Sequence, residues 1–371
     1  MTKYIFFVPD KLAKYLFADI TLDDDFDILC IRKSLFGKVL IGSRSPIEKL
    51  LKKLKVLDYF KNKNFCYELG KYKKLSSNKN YVFVFVAGAA SVLPSTMLEK
   101  ISEKKNVKLA LLLMDSFHAS SPTAIRLREL CFKSFWEKIY TFDKDDSEEF
   151  CFKNIGLYYY SASKLPVQIK ETNNQSDVFF VGGLKGDREN LILSLFVECE
   201  KQELNADFVL SCMNNEQWRN RKFAKKITYI RRWLPYQKVL KRMSNTNCII
   251  EVLQKKQHTQ SIRYFEALVF NKKLLTNNPN IFSLPFYNSQ YMRYFENVND
   301  IDFKWLKDRE KINYGYNNEF SSICLAKMIK ADFERLNDRE YAKTKNCGKM
   351  IRGGGVKWGE PFSLDRIRRA V

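Results

Sequence analysis

One pattern recurs along the chain. A short apolar run gives way to a polar turn, and then to apolar positions spaced three and four apart. "YIFFV" (Tyr4–Val8), "FDILCI" (Phe26–Ile31), "KVLIG" (Lys38–Gly42), "YVFVFV" (Tyr81–Val86), "VKLALLLM" (Val107–Met114) and "KIYTF" (Lys138–Phe142) are short and rich in β-branched and aromatic side chains. They read as strands. "SPIEKLLKKLKVLDYFKN" and "PTAIRLRELCFKSFWEK" carry helical spacing and read as helices. Strands that are apolar almost throughout, alternating with helices, predict a parallel sheet covered on both faces.

The pattern then breaks and restarts. "KLPVQIKETNNQSD" (Lys164–Asp177) is polar, contains a proline and has no apolar periodicity, so it reads as a linker. After it come the strand "VFFVGG", the helix "DRENLILSLFVECEKQE" and the strands "ADFVLSC" and "ITYI". The helix "PYQKVLKRMSNT", the strand "CIIEVL", the helix "SIRYFEALVFN" and the strand "KLLTN" follow. This is a second α/β unit of ordinary domain size. Two doubly wound units in tandem place a cleft between them, with the carboxyl ends of both sheets facing it. The expected boundaries are 1–165 for an N-terminal Rossmann-like domain and 176–300 for a C-terminal one. Charged and aromatic helices over 301–345 are expected to pack back. Residues 346–371, with three consecutive glycines, read as a flexible or vector-derived tail.

Composition narrows the class. The 371 residues are 45% hydrophobic and 14% aromatic, enough for two sizeable cores. Nine cysteines, an odd number with no CxxC spacing, argue against a disulfide framework or a zinc site and point to a reducing cytoplasm. No cationic stub followed by an apolar stretch opens the sequence, so no signal peptide is expected, and the longest apolar runs are too short to span a bilayer. The net charge of +22 implies a polyanionic neighbour, whether nucleic acid, an anionic membrane surface or phosphorylated ligands. Basic clusters lie at Lys49–Lys55, at Arg219–Lys226 and in "IRRWLPYQKVLKR". The first has helical Leu/Lys alternation. It suits either a helix lying on an anionic membrane or a solvated helix with its leucines packed inward. No helix-turn-helix, zinc finger or RNP-type motif supports nucleic-acid binding.

Three stretches carry candidate chemistry. In "DVFFVGGLKGDRENL" a strand ends in Gly182-Gly183 and a helix follows. Such a turn brings backbone N–H groups to a phosphate, or simply makes a tight bend. In "QKKQHTQSIRYFEALVFNKK" a polar preface precedes a helix. Ser261 or Thr259 is a candidate N-cap, Arg263 a candidate fork for a diphosphate, and Glu266 a candidate acceptor for ribose hydroxyls. In "LALLLMDSFHASS" a buried strand ends in Asp115, with His118 three residues on. Either is placed to deprotonate an acceptor hydroxyl, and either also serves as a turn residue. Gly88 to Ser91, at the end of another strand, leaves room for a substrate. The Asp-rich stretches at Asp23–Asp27 and Asp143–Asp146 read as solvated turn or helix-end clusters rather than a metal site.

"SDVFFVGGLKGDRENLILSL", "ITYIRRWLPYQKVLKRMSNTNCIIEVLQKKQHTQSIRYFEALVFNKKLLTNNPNI" and "EKIYTFDKDDSEEFCFKNIGLYYYS" together resemble bacterial GT-B glycosyltransferases of capsular polysaccharide and lipopolysaccharide synthesis. That family carries a D-V-F-F-V-G strand, a Tyr-x-x-x-Leu helix, and a Gln-rich turn leading into Arg-x-x-Glu-Ala. Gln254, Gln257, Arg263, Glu266 and Ala267 match; Ser261 stands where threonine is usual, and His258-Thr259 replaces Ser-Gly. The likeness covers about residues 135–300, and the N-terminal half only by topology. It implies a GT-B fold in which a nucleotide-sugar donor is held by the C-terminal domain and an oligosaccharide acceptor, lipid-linked, by the N-terminal one. It further implies a cytoplasmic enzyme with peripheral contact to the inner face of the membrane, and neither metal nor cofactor. The donor-site residues implied are Gly182, Gly183, Lys185, Gln257, His258, Thr259, Ser261, Arg263 and Glu266. Lys185 joins Arg263 at the leaving diphosphate, and Asp115 or His118 acts as base if the reaction inverts. His258-Thr259 is where donor choice is expected to differ from the family's. The competing expectation is a basic nucleic-acid-binding or membrane-surface scaffold without catalysis.

Overall fold

In a computed structural model of the chain, the structure describes residues 2–9, 16–31, 76, 78–114, 122–157, 175–184, 188–212, 214–219, 221–231, 234–253 and 261–347. They build two six-stranded sheets, parallel at every strand pair. The first takes β1 (Thr2–Val8), β2 (Phe26–Cys30), β3 (Asn80–Val86), β4 (Val107–Leu112), β5 (Lys138–Thr141) and β6 (Lys153–Asn154) in the order β2-β1-β3-β4-β5-β6. The second takes β7 (Ser176–Gly183), β8 (Ala206–Ser211), β9 (Thr228–Ile230), β10 (Thr246–Glu251), β11 (Lys273–Thr276) and β12 (Met292–Tyr294) in the order β12-β11-β10-β7-β8-β9. This is the pair of Rossmann-like sheets expected of the GT-B class.

The unbroken apolar runs have a direct structural cause. β3 is buried at every position after Asn80, and β10 at every position, because helices cover both faces of each sheet. Parallel pairing needs a crossover, and the helices supply it. In the first half these are α1 (Ala87–Ala90), α2 (Ser95–Ser102), α3 (Pro122–Cys131) and α4 (Lys144–Phe150). In the second they are α5 (Arg188–Lys201), α6 (Asn215–Arg219), α7 (Tyr236–Ser244) and α8 (Ile262–Phe270). Aromatic rings knit each core. Phe7 stacks on Phe85 with centroids 4.5 Å apart, and Phe208 packs between Phe180 and Phe196.

Several expectations are adjusted. α3 ends at Cys131, well short of the predicted run to Lys138, because the chain folds back there. The Trp136 indole N–H donates to the Leu130 carbonyl at 2.8 Å and takes up one of the helix's last free acceptors. The short edge strands β6 and β12 have too few residues to show a period and were not anticipated. β7 begins at Ser176, two residues inside the expected linker. The expected strand at Lys38–Gly42, the Leu/Lys helix and the tail beyond Cys347 lie outside the described residues. Asp143 caps α4 by accepting from the Asp146 N–H at 3.1 Å, and Asp23 accepts from the Asp25 N–H, so both Asp-rich stretches are cap and turn residues; Asp143 and Asp146 are buried and not solvated as expected, because the cap turns them inward.

After β12 the chain straps the amino ends of the second sheet. α9 (Phe303–Lys307) leads into Asp308 and Arg309. Buried Lys273, on β11, donates to the Trp305 and Asp308 carbonyls at 2.8 and 2.7 Å. Asn247, on β10, donates to the Leu306 and Asp308 carbonyls, and Arg309 pairs with Asp177 on β7. Three neighbouring strands are thereby tied to one segment. Ser322, which opens the helix α10 (Ser322–Cys347), donates to the Leu16 carbonyl ahead of β2. Met1–Ala326 forms one compact unit and Lys327–Val371 a second.

Candidate functional site

Strand order in the second sheet runs outward in both directions from the β7–β10 pair. The crossovers after β7 and after β10 therefore leave on opposite sides, and ligands of open α/β sheets bind beyond the carboxyl ends at such a switch point. Side chains converge there. Arg188, the first residue of α5, reaches back across both strand ends. Its Nε and Nη2 donate to the Gly183 carbonyl at 3.0 and 2.6 Å, and its Nη1 donates to the Val252 carbonyl at 3.0 Å. A guanidinium thus bridges the last residue of β7 and the residue just past β10.

Gly182 serves this approach through its size. A Cβ there would stand 2.8 Å from Phe180 Cζ and 3.6 Å from Arg188 Nη2. Its φ is not in the left-handed region, so the requirement is space and not an unusual backbone. Gly183 closes β7 and accepts from Arg188.

Across the switch point, α8 begins where β10's exit chain returns. Ser261 is its N-cap: the hydroxyl oxygen accepts from the Arg263 N–H at 3.1 Å. The same hydroxyl donates to Glu251 Oε1, which also accepts from the Ser261 N–H at 3.1 Å. Glu251 Oε2 accepts from the Thr276 hydroxyl at 2.5 Å. Glu251, only 2% exposed, therefore ties the end of β10 to the start of α8 and to the end of β11.

One turn into α8, Arg263 and Glu266 pair with each other. Arg263 Nη1 donates to Glu266 Oε2, while the Tyr236 hydroxyl, from the first turn of α7, donates to Oε1 at 2.6 Å. The Glu266 side chain is fully buried and that of Arg263 is 16% exposed. Burial pushes the Glu266 carboxyl above the ordinary carboxylate range; Arg263 pulls the other way, and Glu251 adds to the rise. Arg263 Nε and Nη2 have no partner among the described residues. Arg188 and Arg263 are the site's cations, and Glu251 and Glu266 hold its frame.

Gly182, Gly183, Ser261, Arg263 and Glu266 are thus gathered at one sheet edge. Lys185, Gln257, His258, Thr259, Asp115 and His118 lie outside the described residues. Arg188 and Tyr236 are members of the site that residue-by-residue reading passed over. Both stood in the open, Arg188 in "GDRENL" and Tyr236 just after the proline of "LPYQKV", but neither spacing reveals what it reaches. Gly88, expected to leave room for a substrate, is filled: its Cβ would come within 3.0 Å of the Pro9 ring, so its smallness lets α1 pack on the chain leaving β1. Among the described residues no group of three or more His, Cys, Asp or Glu side chains is placed to hold a metal ion.

The backbone is similar to that of several solved glycosyltransferases. The glycosyltransferase SnogD from Streptomyces nogalater shares 10% identity over 89% of this chain and 100% of its own, with a TM-score of 0.40. The lipopolysaccharide outer core galactosyltransferase WaaB in its apo form shares 11% over 90% and 100%, with a TM-score of 0.46. An alpha-glucosyltransferase in complex with UDP and a 13-mer DNA containing a central A:G mismatch shares 12% over 89% and 99%, with a TM-score of 0.48. No family model and no curated protein matches the sequence. These likenesses concern the course of the backbone; the chemistry rests on the residues of this chain.

Proposed function

We propose that the chain is a metal-independent GT-B glycosyltransferase. It moves a sugar from a nucleotide-sugar donor to a saccharide acceptor in bacterial cell-surface polysaccharide or lipopolysaccharide synthesis. The observation that carries this reading is the convergence of Arg188, Arg263, Ser261 and Glu266 at the switch point of the second sheet. A helix N-terminus and two guanidiniums there suit a diphosphate, and the motif resemblance lies over the same residues.

In the proposed reaction an acceptor hydroxyl attacks the anomeric carbon, the bond from that carbon to the diphosphate oxygen breaks, and the nucleoside diphosphate leaves. Arg263, with Lys185, offsets the charge that grows on the leaving oxygen. Glu266 has two parts to play. It orients Arg263 through Oε2, and because Tyr236 covers Oε1 and the side chain is buried, the ribose hydroxyls reach it only where the donor displaces Tyr236. Asp115 or His118 takes the acceptor proton if the reaction inverts. The acceptor is lipid-linked and presented at an anionic membrane surface, which suits the net charge of +22. No helix among the described residues is long and apolar enough to cross a membrane, so we propose peripheral contact with the inner face.

The test is release of nucleoside diphosphate from a panel of nucleotide sugars. Glu266→Ala is expected to lower turnover by about a hundredfold or more, because it frees Arg263 from its position. Unchanged turnover in a folded Glu266→Ala protein would overturn the donor-site assignment.

A further inference from the structure

A second cationic cluster stands at the carboxyl ends of β8 and β9, apart from the Arg188–Arg263 set. The Arg221 guanidinium carbon lies 3.9 Å from the centroid of the Trp218 ring, and that of Arg231 lies 4.5 Å from it. Arg231 directly follows β9 and is exposed. Arg221 is half-buried, and its Nη1 is shut off from solvent with no hydrogen-bond partner among the described residues.

Most other cations with a structural role have a carboxylate. Lys226 pairs with Glu200, Arg242 with Asp207, Arg293 with Asp302 and Arg309 with Asp177. Neither Arg221 nor Arg231 has one within ion-pair reach among the described residues. The carboxylate that faces the cluster is Glu189, and Gln217 Nε2 donates to it at 3.2 Å while also donating to the Leu184 carbonyl at 2.9 Å. That the charges share one locus is seen at Cys212, just past β8. Burial raises its thiol, and Arg221, Glu189 and Arg231 all act on it.

Two like charges on one indole repel, and a shielded guanidinium nitrogen without an acceptor is costly. Stacking on Trp218 holds the guanidinium planes in place, which favours the bidentate grip that carboxylates and phosphates accept. We propose that Trp218, Arg221 and Arg231 form an oxyanion subsite that takes a phosphate or carboxylate group carried by a sugar substrate. That the ligand is a sugar rests on the glycosyltransferase reading; the oxyanion chemistry rests on the cluster itself. Gln217 fastens this subsite to the turn after β7, so it adjoins the donor edge without being part of the Arg188–Arg263 set.

Trp218 supplies the readout. Tryptophan fluorescence is titrated with glucose 6-phosphate, with glucuronate and with neutral glucose. The expected result is a saturable change with one or both anions and none with glucose, absent in Trp218→Phe. Arg231→Gln, at an exposed position, and Arg221→Gln are each expected to weaken the anion at least about tenfold, while Arg263→Gln leaves it as it is. A response to glucose 6-phosphate alone assigns the subsite to phosphorylated sugars, and one to glucuronate alone to uronates. No change with either anion, or equal affinity in folded Arg231→Gln, overturns the proposal. Nucleoside diphosphate titrated in parallel separates the two readings: loss in Arg263→Gln with retention in Arg231→Gln is expected, and its complete absence defeats the donor site but not the oxyanion subsite.

Discussion

Glu266 is a carboxylate buried without access to water, kept there by one cation and one hydroxyl. Its raised affinity for protons has a consequence for stability. The folded state holds the proton more tightly than the unfolded chain, whose usual value is 4.5. The contribution of this group to stability is therefore fully present below that value and is lost as pH rises through the folded pKa. Urea unfolding at a series of pH values should show Glu266→Gln losing part of the wild-type decline in stability with rising pH. Equal pH slopes in the two proteins would contradict this. The sequence showed Arg263 and Glu266 as neighbours three apart on a helix, and gave them separate tasks. It could not show that they face each other, because the third member, Tyr236, comes from a helix 30 residues earlier.

At the scale of elements, the turn–helix junction at Ser261 does two jobs with one hydroxyl. It caps α8 and it satisfies Glu251. Ser261→Ala should lower stability by about 1–2 kcal/mol, measured by urea unfolding, with helix content largely kept. A change within about 0.3 kcal/mol would mean that the cap carries no load. The β7 end is constrained differently. Gly182→Ala brings a methyl against the buried Phe180 ring and towards Arg188, and should destabilise by about 1–3 kcal/mol. Wild-type stability in that variant would contradict the close packing. The strands themselves were legible, because a fully covered parallel strand is apolar throughout and needs no period to be seen. β6 and β12, unlike β9 with its apolar flanks in "ITYI", hold no pattern, and the end of α3 depends on where Trp136 folds back. No local rule states that.

For the whole molecule, alternation of strands and helices implied two doubly wound sheets, and the order of strands within each sheet is what turns that into a site. The switch point between β7 and β10 follows from tertiary pairing, yet it decides which loops meet. The strap through Lys273, Asn247 and Arg309 was equally hidden, since a buried lysine reads in sequence as a surface one. In the proposed function this switch point binds a nucleoside diphosphate. Isothermal titration of the protein with uridine, guanosine, adenosine and cytidine diphosphates tests it most directly. Arg263→Gln serves as the comparison, its amide still able to donate to Glu266. Saturable binding of at least one of the four is expected, weakened at least about tenfold in the variant. Binding of none of them, or equal binding by wild type and Arg263→Gln, would contradict it.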